Sequence, residues 1–118
     1  MSHSILQALA EHGIILPVPA APVATYVPFV QTGSLLVVSG QLPFEAGKIA
    51  VTGHLGVDVT IEDGQRAARL CVINLLAQLQ AAVAGDWSRV VRCVRLGVFV
   101  SSGNDFTDQP KVDRKSVG

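Results

Sequence analysis

Apolar and polar positions change their period several times along the chain, and each change marks an element. Ser2 to His12 repeats apolar side chains at Ile5, Leu6 and Leu9, and Gly13 follows where a helix end favours a left-handed residue, so the spacing predicts a short amphipathic helix over residues 1–13. Residues 14–25 hold Pro17, Pro19 and Pro22, which fix φ and remove amide donors; this stretch is expected to run extended as a strap. From Tyr26 the residues are β-formers. Two such runs, ending at Val30 and at Val38, flank Gln31-Thr32-Gly33-Ser34, which predicts a hairpin that turns at Thr32-Gly33 with Gly33 supplying positive φ. Pro28 cannot donate to a ladder and places the first strand at a sheet edge or with its nitrogen outward. Phe44 to Lys48 reads as a turn before a short strand at Ile49 to Val51.

The clearest helix begins after Thr60, whose hydroxyl can cap the amide of Asp63, while Glu62 and Asp63 suit the positive end of the helix dipole. Ala68, Leu70, Cys71, Ile73, Leu75, Leu76 and Leu79 then recur at helical spacing until Gly85. Ser88 to Val100 alternates. Val90, Val94, Leu96, Val98 and Val100 share one face and Val91, Cys93 and Phe99 the other, which predicts a strand covered on both sides, by a helix and by another subunit. After Ser101 a polar loop leads to a helix start with Asp105 or Thr107 as its cap. Lys111 to Gly118 has neither the length nor the apolar content for a second packed helix and a strand, so the pattern is expected to stop short of a finished sheet.

Composition narrows the functions. A chain of 118 residues has room for one domain with one core. With 49% apolar and 15% charged residues, some apolar surface is expected to face a partner, and a homo-oligomer follows. The formal net charge is zero and no lysine and arginine cluster occurs, which argues against binding to a phosphate backbone. Cys71 and Cys93 lie in apolar patterns and are expected to pack as small free thiols. His3, His12 and His54 have no metal-ligand spacing, so no metal is expected. No apolar run approaches the ~18 residues of a membrane span and no export segment is visible, so a cytoplasmic protein is expected.

The candidate chemistry lies where the second hairpin strand meets Ser39-Gly40-Gln41. Glycine lets a ligand approach the backbone, while serine and a free amide can bind a carboxylate or oxyanion; the alternative is a glycine bulge where the strand bends. Tyr26 is likewise either a packing residue of an edge strand or part of that pocket.

Taken together, Tyr26 to Pro43 (YVPFVQTGSLLVVSGQLP) resembles the Rid family of reactive-intermediate enamine/imine deaminases, formerly named L-PSP endoribonucleases. The likeness continues through Gly53, Gly56, the helix after Thr60, Phe99-Val100 and Asn104-Asp105-Phe106, and makes residues 26–112 the family core, with 113–118 an atypical tail. The N-terminal helix and strap resemble a less characterised branch. The resemblance implies an α+β chorismate-mutase-like fold, a homotrimer with ligand sites in clefts between subunits, a small carboxylate substrate and no cofactor. It implies hydrolysis of an enamine or imine to a 2-oxo acid and ammonia, with an arginine gripping the carboxylate and a late glutamate assisting water. Tyr26, Ser39, Gly40, Asn104 and Phe106 match the family's ligand-contacting positions. Arg114, in Arg114-Lys115-Ser116-Val117, echoes the family's arginine strand about one helix early; it is either that arginine, brought forward by loss of an internal stretch, or a solvated tail residue. The family pattern carries its final glutamate strand beyond this point, which reads as a C-terminally shortened member. A metabolite-binding protein without turnover is the second expectation, and an endoribonuclease the third.

Overall fold

A computed structural model describes residues 2–19, 27–46, 48–104 and 107–112. It contains helices and two small antiparallel ladders in the order α1 (Ser2–Glu11), β1 (Phe29–Thr32), β2 (Leu35–Val38), β3 (Phe44–Glu45), β4 (Lys48–Ile49), α2 (Ile61–Ala82) and a 3-10 turn at Trp87–Arg89. The chain divides into two compact units, residues 1–40 with 73–94 and residues 41–72 with 95–118.

In the first unit, α1 ends where expected. Gly13 takes φ +69°, and the amide of Ile14 reaches back to the Leu9 carbonyl at 2.8 Å. The β1–β2 hairpin pairs Phe29 with Val38 and Thr32 with Leu35, so its loop is the two residues Gly33-Ser34 rather than Thr32-Gly33. Gly33 stands first in that loop at φ +59°, the position that a turn matched to strand twist gives to glycine. Pro28 extends the hairpin by one more pair without needing an N–H: its carbonyl accepts from the Ser39 amide and from the Ser39 hydroxyl, each at 2.9 Å. The core of this unit gathers Ala77, Val83 and Trp87 with the buried polar pair Asn74 and Gln78, one turn apart on α2. α1 packs against the 3-10 turn that carries Trp87. Trp87 is 1% exposed, and its indole N–H has no partner among the described residues.

In the second unit, Phe44 to Lys48 forms a hairpin of its own, with Phe44 opposite Ile49 and Glu45 opposite Lys48. A turn followed by a short strand at Ile49 to Val51 was expected there; the strand is present one residue earlier, at Lys48–Ile49, and its partner Phe44–Glu45 is too short for period-2 alternation to reveal it. Pro43 repeats the arrangement of Pro28, accepting the Ala50 amide at 3.0 Å. α2 starts at its expected cap, the Asp63 amide donating to Thr60 Oγ1 at 3.1 Å, and it ends in the first unit at Ala84 (φ +53°) and Gly85 (φ +80°). Leu55, Leu70 and Val112 form the core here. Residues 109–112 are helical, and Gln65 Nε2 donates to the Lys111 carbonyl at 2.8 Å.

The expected strand over Ser88–Val100 is not present as one. Trp87–Arg89 is a 3-10 turn capped by Asp86, and residues 91–99 are exposed with no ladder among the described residues. Alternation supplies a strand's side-chain pattern, but pairing requires a neighbour for the backbone groups. Cys93 is exposed for the same reason, contrary to its expected packing, whereas Cys71 is half-buried and burial raises the pKa of its thiol. No helix among the described residues is long and apolar enough to cross a membrane.

Candidate functional site

Ser39 and Gly40 end the first hairpin. Hairpin pairing sets the strand direction, and two hydrogen bonds, donated by the Ser39 amide and hydroxyl to Pro28 O, fix Ser39, with its hydroxyl proton already donated. A ligand oxyanion at Ser39 would therefore have to draw that hydroxyl from Pro28, while the hydroxyl's lone pairs stay suited to a ligand donor. Gly40 follows at the exposed end. Its φ lies outside the left-handed region, and no described heavy atom comes within 4 Å of where a Cβ would stand. Neither backbone strain nor crowding requires glycine here. A bulge that depends on positive φ is absent, and what remains distinctive about Gly40 is a bare, approachable backbone.

Asn104 is exposed in a turn of the second unit. Tyr26, Phe106 and Arg114 lie outside the described residues, so the hairpin tyrosine, the loop phenylalanine and the arginine have no structural counterpart to report.

The second unit also assembles a polar cluster that sequence spacing does not reveal. In Gly53-His54-Leu55-Gly56-Val57-Asp58, the Asp58 carboxylate accepts from the His54 amide at 2.7 Å, and the His54 carbonyl accepts from the amides of Val57, Asp58 and Val59. Two glycines permit this tight loop, Gly53 at φ +123° and Gly56 at φ +80°. Leu55 points inward at 3% exposure and pairs with the 101–103 segment, donating to the Ser101 carbonyl at 3.0 Å and accepting from Gly103 at 2.8 Å. That pairing carries Ser101 to His54, where Ser101 Oγ and His54 Nδ1 share a hydrogen bond across 47 residues of sequence. Both side chains are exposed. Ser102 beside them accepts from Gln109 Nε2 at 3.0 Å. The paired glycines flanking a histidine were the only sequence signal for this loop; its serine partner was not legible. Among the described residues no group of three or more His, Cys, Asp or Glu is gathered in a manner suited to a metal ion.

Comparison with known proteins matches residues 6–116 to the family model described as "YjgF/chorismate mutase-like, putative endoribonuclease". Protein TCP17 of Trypanosoma cruzi is 48% identical over 104 residues, covering 88% of this chain. The chain spans 64% of that relative's length. The crystal structure of Atu1372 from Agrobacterium tumefaciens, a protein of unknown function, is 49% identical with a TM-score of 0.88, covering 98% of this chain and 70% of its own. The crystal structure of a putative endoribonuclease from Shewanella oneidensis MR-1 is 33% identical with a TM-score of 0.83, covering 94% of this chain and 73% of its own.

Proposed function

This chain belongs to the YjgF (Rid) chorismate mutase-like family, with that family's α+β fold, and on that premise we propose that it hydrolyses short-lived enamines or imines derived from amino acids. Water adds across the C=N bond of the imine, and ammonia leaves to give a 2-oxo acid. The observation that carries the reading is Gly40, an exposed glycine at a strand end whose backbone is open and whose conformation any residue could adopt. A small planar substrate can lie against such a backbone edge, where a Cβ would stand in its way. Arg114 is the proposed carboxylate anchor, since a guanidinium offers two parallel charge-assisted bonds. Tyr26, Asn104 and Phe106 are the proposed flanking contacts. The working form is a cytoplasmic homotrimer, consistent with the apolar surface carried by this weakly charged chain, in which Val91, Val94 and Phe99 are exposed.

The test is release of ammonia and 2-oxo acid from an enamine generated in situ, measured against buffer alone. Acceleration that saturates with substrate is expected, and a rate equal to the buffer blank rejects the deaminase. One observation favours binding without turnover as the second reading: the Ser39 hydroxyl proton is committed to Pro28 and is not free to serve a reaction. Stoichiometric binding of a stable 2-oxo acid with no turnover would select it. RNA cleavage, suggested by the description of the Shewanella relative, has little support in a chain of zero formal charge.

A further inference from the structure

We propose that Ser101 and His54 form a second reactive site, a serine nucleophile with an imidazole base, which takes acyl groups from small activated esters and passes them to water. Ser101 Oγ and His54 Nδ1 share a hydrogen bond, and both side chains are exposed. A serine hydroxyl is a weak nucleophile until an adjacent base draws its proton. The other serine hydroxyls bonded among the described residues face no such base. Ser39 donates to the Pro28 carbonyl, which cannot carry a proton away, and Ser102 accepts from the Gln109 amide. Ser88 donates to the Asp86 carboxylate, and a carboxylate takes a serine proton far less readily than an imidazole does.

Backbone positions the pair on both sides. The Asp58 carboxylate accepts from the His54 amide at 2.7 Å, and the His54 carbonyl accepts from three amides of its own loop. Asp58 can reach in because residue 53 is glycine: a Cβ there would stand 2.5 Å from Asp58 Oδ1. Opposite, the Ser101 carbonyl accepts from Leu55, whose side chain is buried. The two reacting atoms are thus brought together by bonds in which they take no part, as preorganisation requires. Gly103 adds a surface for an acyl chain. A Cβ on it would stand 2.6 Å from Val57 Cγ2, so the glycine lets Val57 lie close over the 101–103 segment, and Val57 is 71% exposed. Residues two apart in an extended segment share a face, which puts this apolar side chain on the face that carries Ser101.

The reaction balances with water as its sole co-reactant. With the ring proton on Nε2, His54 Nδ1 takes the hydroxyl proton as Ser101 Oγ bonds to the carbonyl carbon. The bond from that carbon to the leaving oxygen then breaks, and the leaving oxygen receives the proton from Nδ1. Water repeats the sequence: its proton goes to Nδ1, its oxygen bonds to the acyl carbon, and Ser101 Oγ departs and takes the proton back. The sum is ester and water to carboxylic acid and alcohol. The Ser102 amide, next in the chain after the nucleophile, makes no hydrogen bond among the described residues and is open to the oxyanion. What the pair lacks sets its substrate class. No third side chain holds His54 Nε2 among the described residues, and the pair is open to water, so esters with a good leaving group, such as aryl esters, are the ones within its reach.

The test gives p-nitrophenyl acetate to the full chain and reads nitrophenolate release by absorbance and the acetylated residue by peptide mass spectrometry. The expected result is an acetyl group on Ser101 that forms as nitrophenolate appears. His54→Asn keeps an acceptor near the place of Nδ1 but cannot carry the proton, and it should slow acetylation of Ser101 about a hundredfold, the lower end of what a positioned base contributes. Ser88→Ala should react like the parent. Because the acetylated residue is identified on the unsubstituted chain, a variant that fails to fold leaves the test intact. Acetyl confined to Cys93, to lysines or to the N-terminal amine overturns the proposal, as does release equal to the buffer blank. A His54→Asn protein acetylated at Ser101 as fast as the parent also overturns it, and reduces the pair to a structural hydrogen bond.

Discussion

Gly64→Ala should change sign with its neighbour. Gly64 lies in the first turns of α2 and is buried; a Cβ there would stand 2.7 Å from Leu55 Cδ2 and 3.2 Å from Val112 Cγ2. Two effects oppose. Alanine is favoured over glycine in a helix by about 1 kcal/mol, through the smaller loss of backbone freedom. Forcing a methyl into a filled site costs about 1–3 kcal/mol, and Leu55 at 3% exposure and Val112 at 4% have little room to yield. The net expectation for Gly64→Ala alone is a loss of about 1 kcal/mol, taking the middle of both ranges. Leu55→Ala alone should cost about 2–5 kcal/mol, as expected for a large buried side chain. Once the Leu55 δ carbons are gone, the 2.7 Å contact is gone, and the vacated space lets Val112 give way by the few tenths of an ångström that its 3.2 Å approach requires. In that background Gly64→Ala should stabilise the protein by about 1 kcal/mol, a coupling of roughly 2 kcal/mol between the two sites. Urea titration of the four proteins, followed by the circular dichroism of α2, measures the cycle. The same sign in both backgrounds, or a coupling below about 0.5 kcal/mol, would refute the packing argument and make Gly64 a matter of helix propensity alone.

Gly40→Val should leave the circular dichroism and the melting midpoint nearly unchanged, because its Cβ meets no described atom, yet abolish 2-oxo acid binding; unchanged affinity would return Gly40 to a passive role. Arg114→Ala should weaken carboxylate binding by about ten- to a hundredfold and Arg114→Lys should recover only part of it, as read by calorimetric titration; equal affinities across the three proteins would remove Arg114 from the site. Thr60→Ala should cost about 1 kcal/mol in a urea titration, through loss of the cap on the Asp63 amide, and no loss would mean that water serves that amide equally well. Cys93 is exposed while burial raises the Cys71 pKa, so a thiol reagent at mildly alkaline pH should modify Cys93 first. The raised Cys71 value means that the folded chain holds this proton longer than the unfolded one. Its stabilising contribution is complete below the unfolded thiol pKa and is lost as pH rises through the folded value, so stability in the cysteine-to-serine variant at position 71 should depend less on pH in that alkaline range.

What could be read from the sequence was what local chemistry determines. Gly13 closed α1, Gly33 shaped the first hairpin turn, and Thr60 and Gly85 bracketed α2, because caps and turns act within a few residues of the groups they satisfy. Even there the hairpin loop lay one residue later than Thr32-Gly33, since register depends on which carbonyls meet across the strands. The 88–100 region was misread as a strand for the complementary reason. Alternating side chains record which faces seek cover, but a ladder needs a second backbone, and none of the described residues supplies one. The Asn74 and Gln78 pair was hidden inside an apolar helical pattern. The Ser101 to His54 contact depends on the pairing of Leu55 with a distant segment, which no short window contains. Of the candidate site, Ser39 and Gly40 were legible through a family likeness that concentrates in the hairpin, where glycine and proline constraints are dense.

Pro28 gives the hairpin a clasp at its open mouth. Hairpins ordinarily fray at the end away from the turn, where each strand has lost one side of its ladder. Here one carbonyl oxygen holds both the amide and the hydroxyl of Ser39, so the last pair is joined by two bonds meeting at a single atom. Stiffness is thus placed beside Gly40, at the end where fraying would otherwise begin. A ligand settling against that edge finds part of the backbone already ordered, and less of its interaction free energy is consumed in quieting the chain. Removing the Ser39 hydroxyl would loosen the mouth without touching the turn, separating the firmness of the edge from its shape.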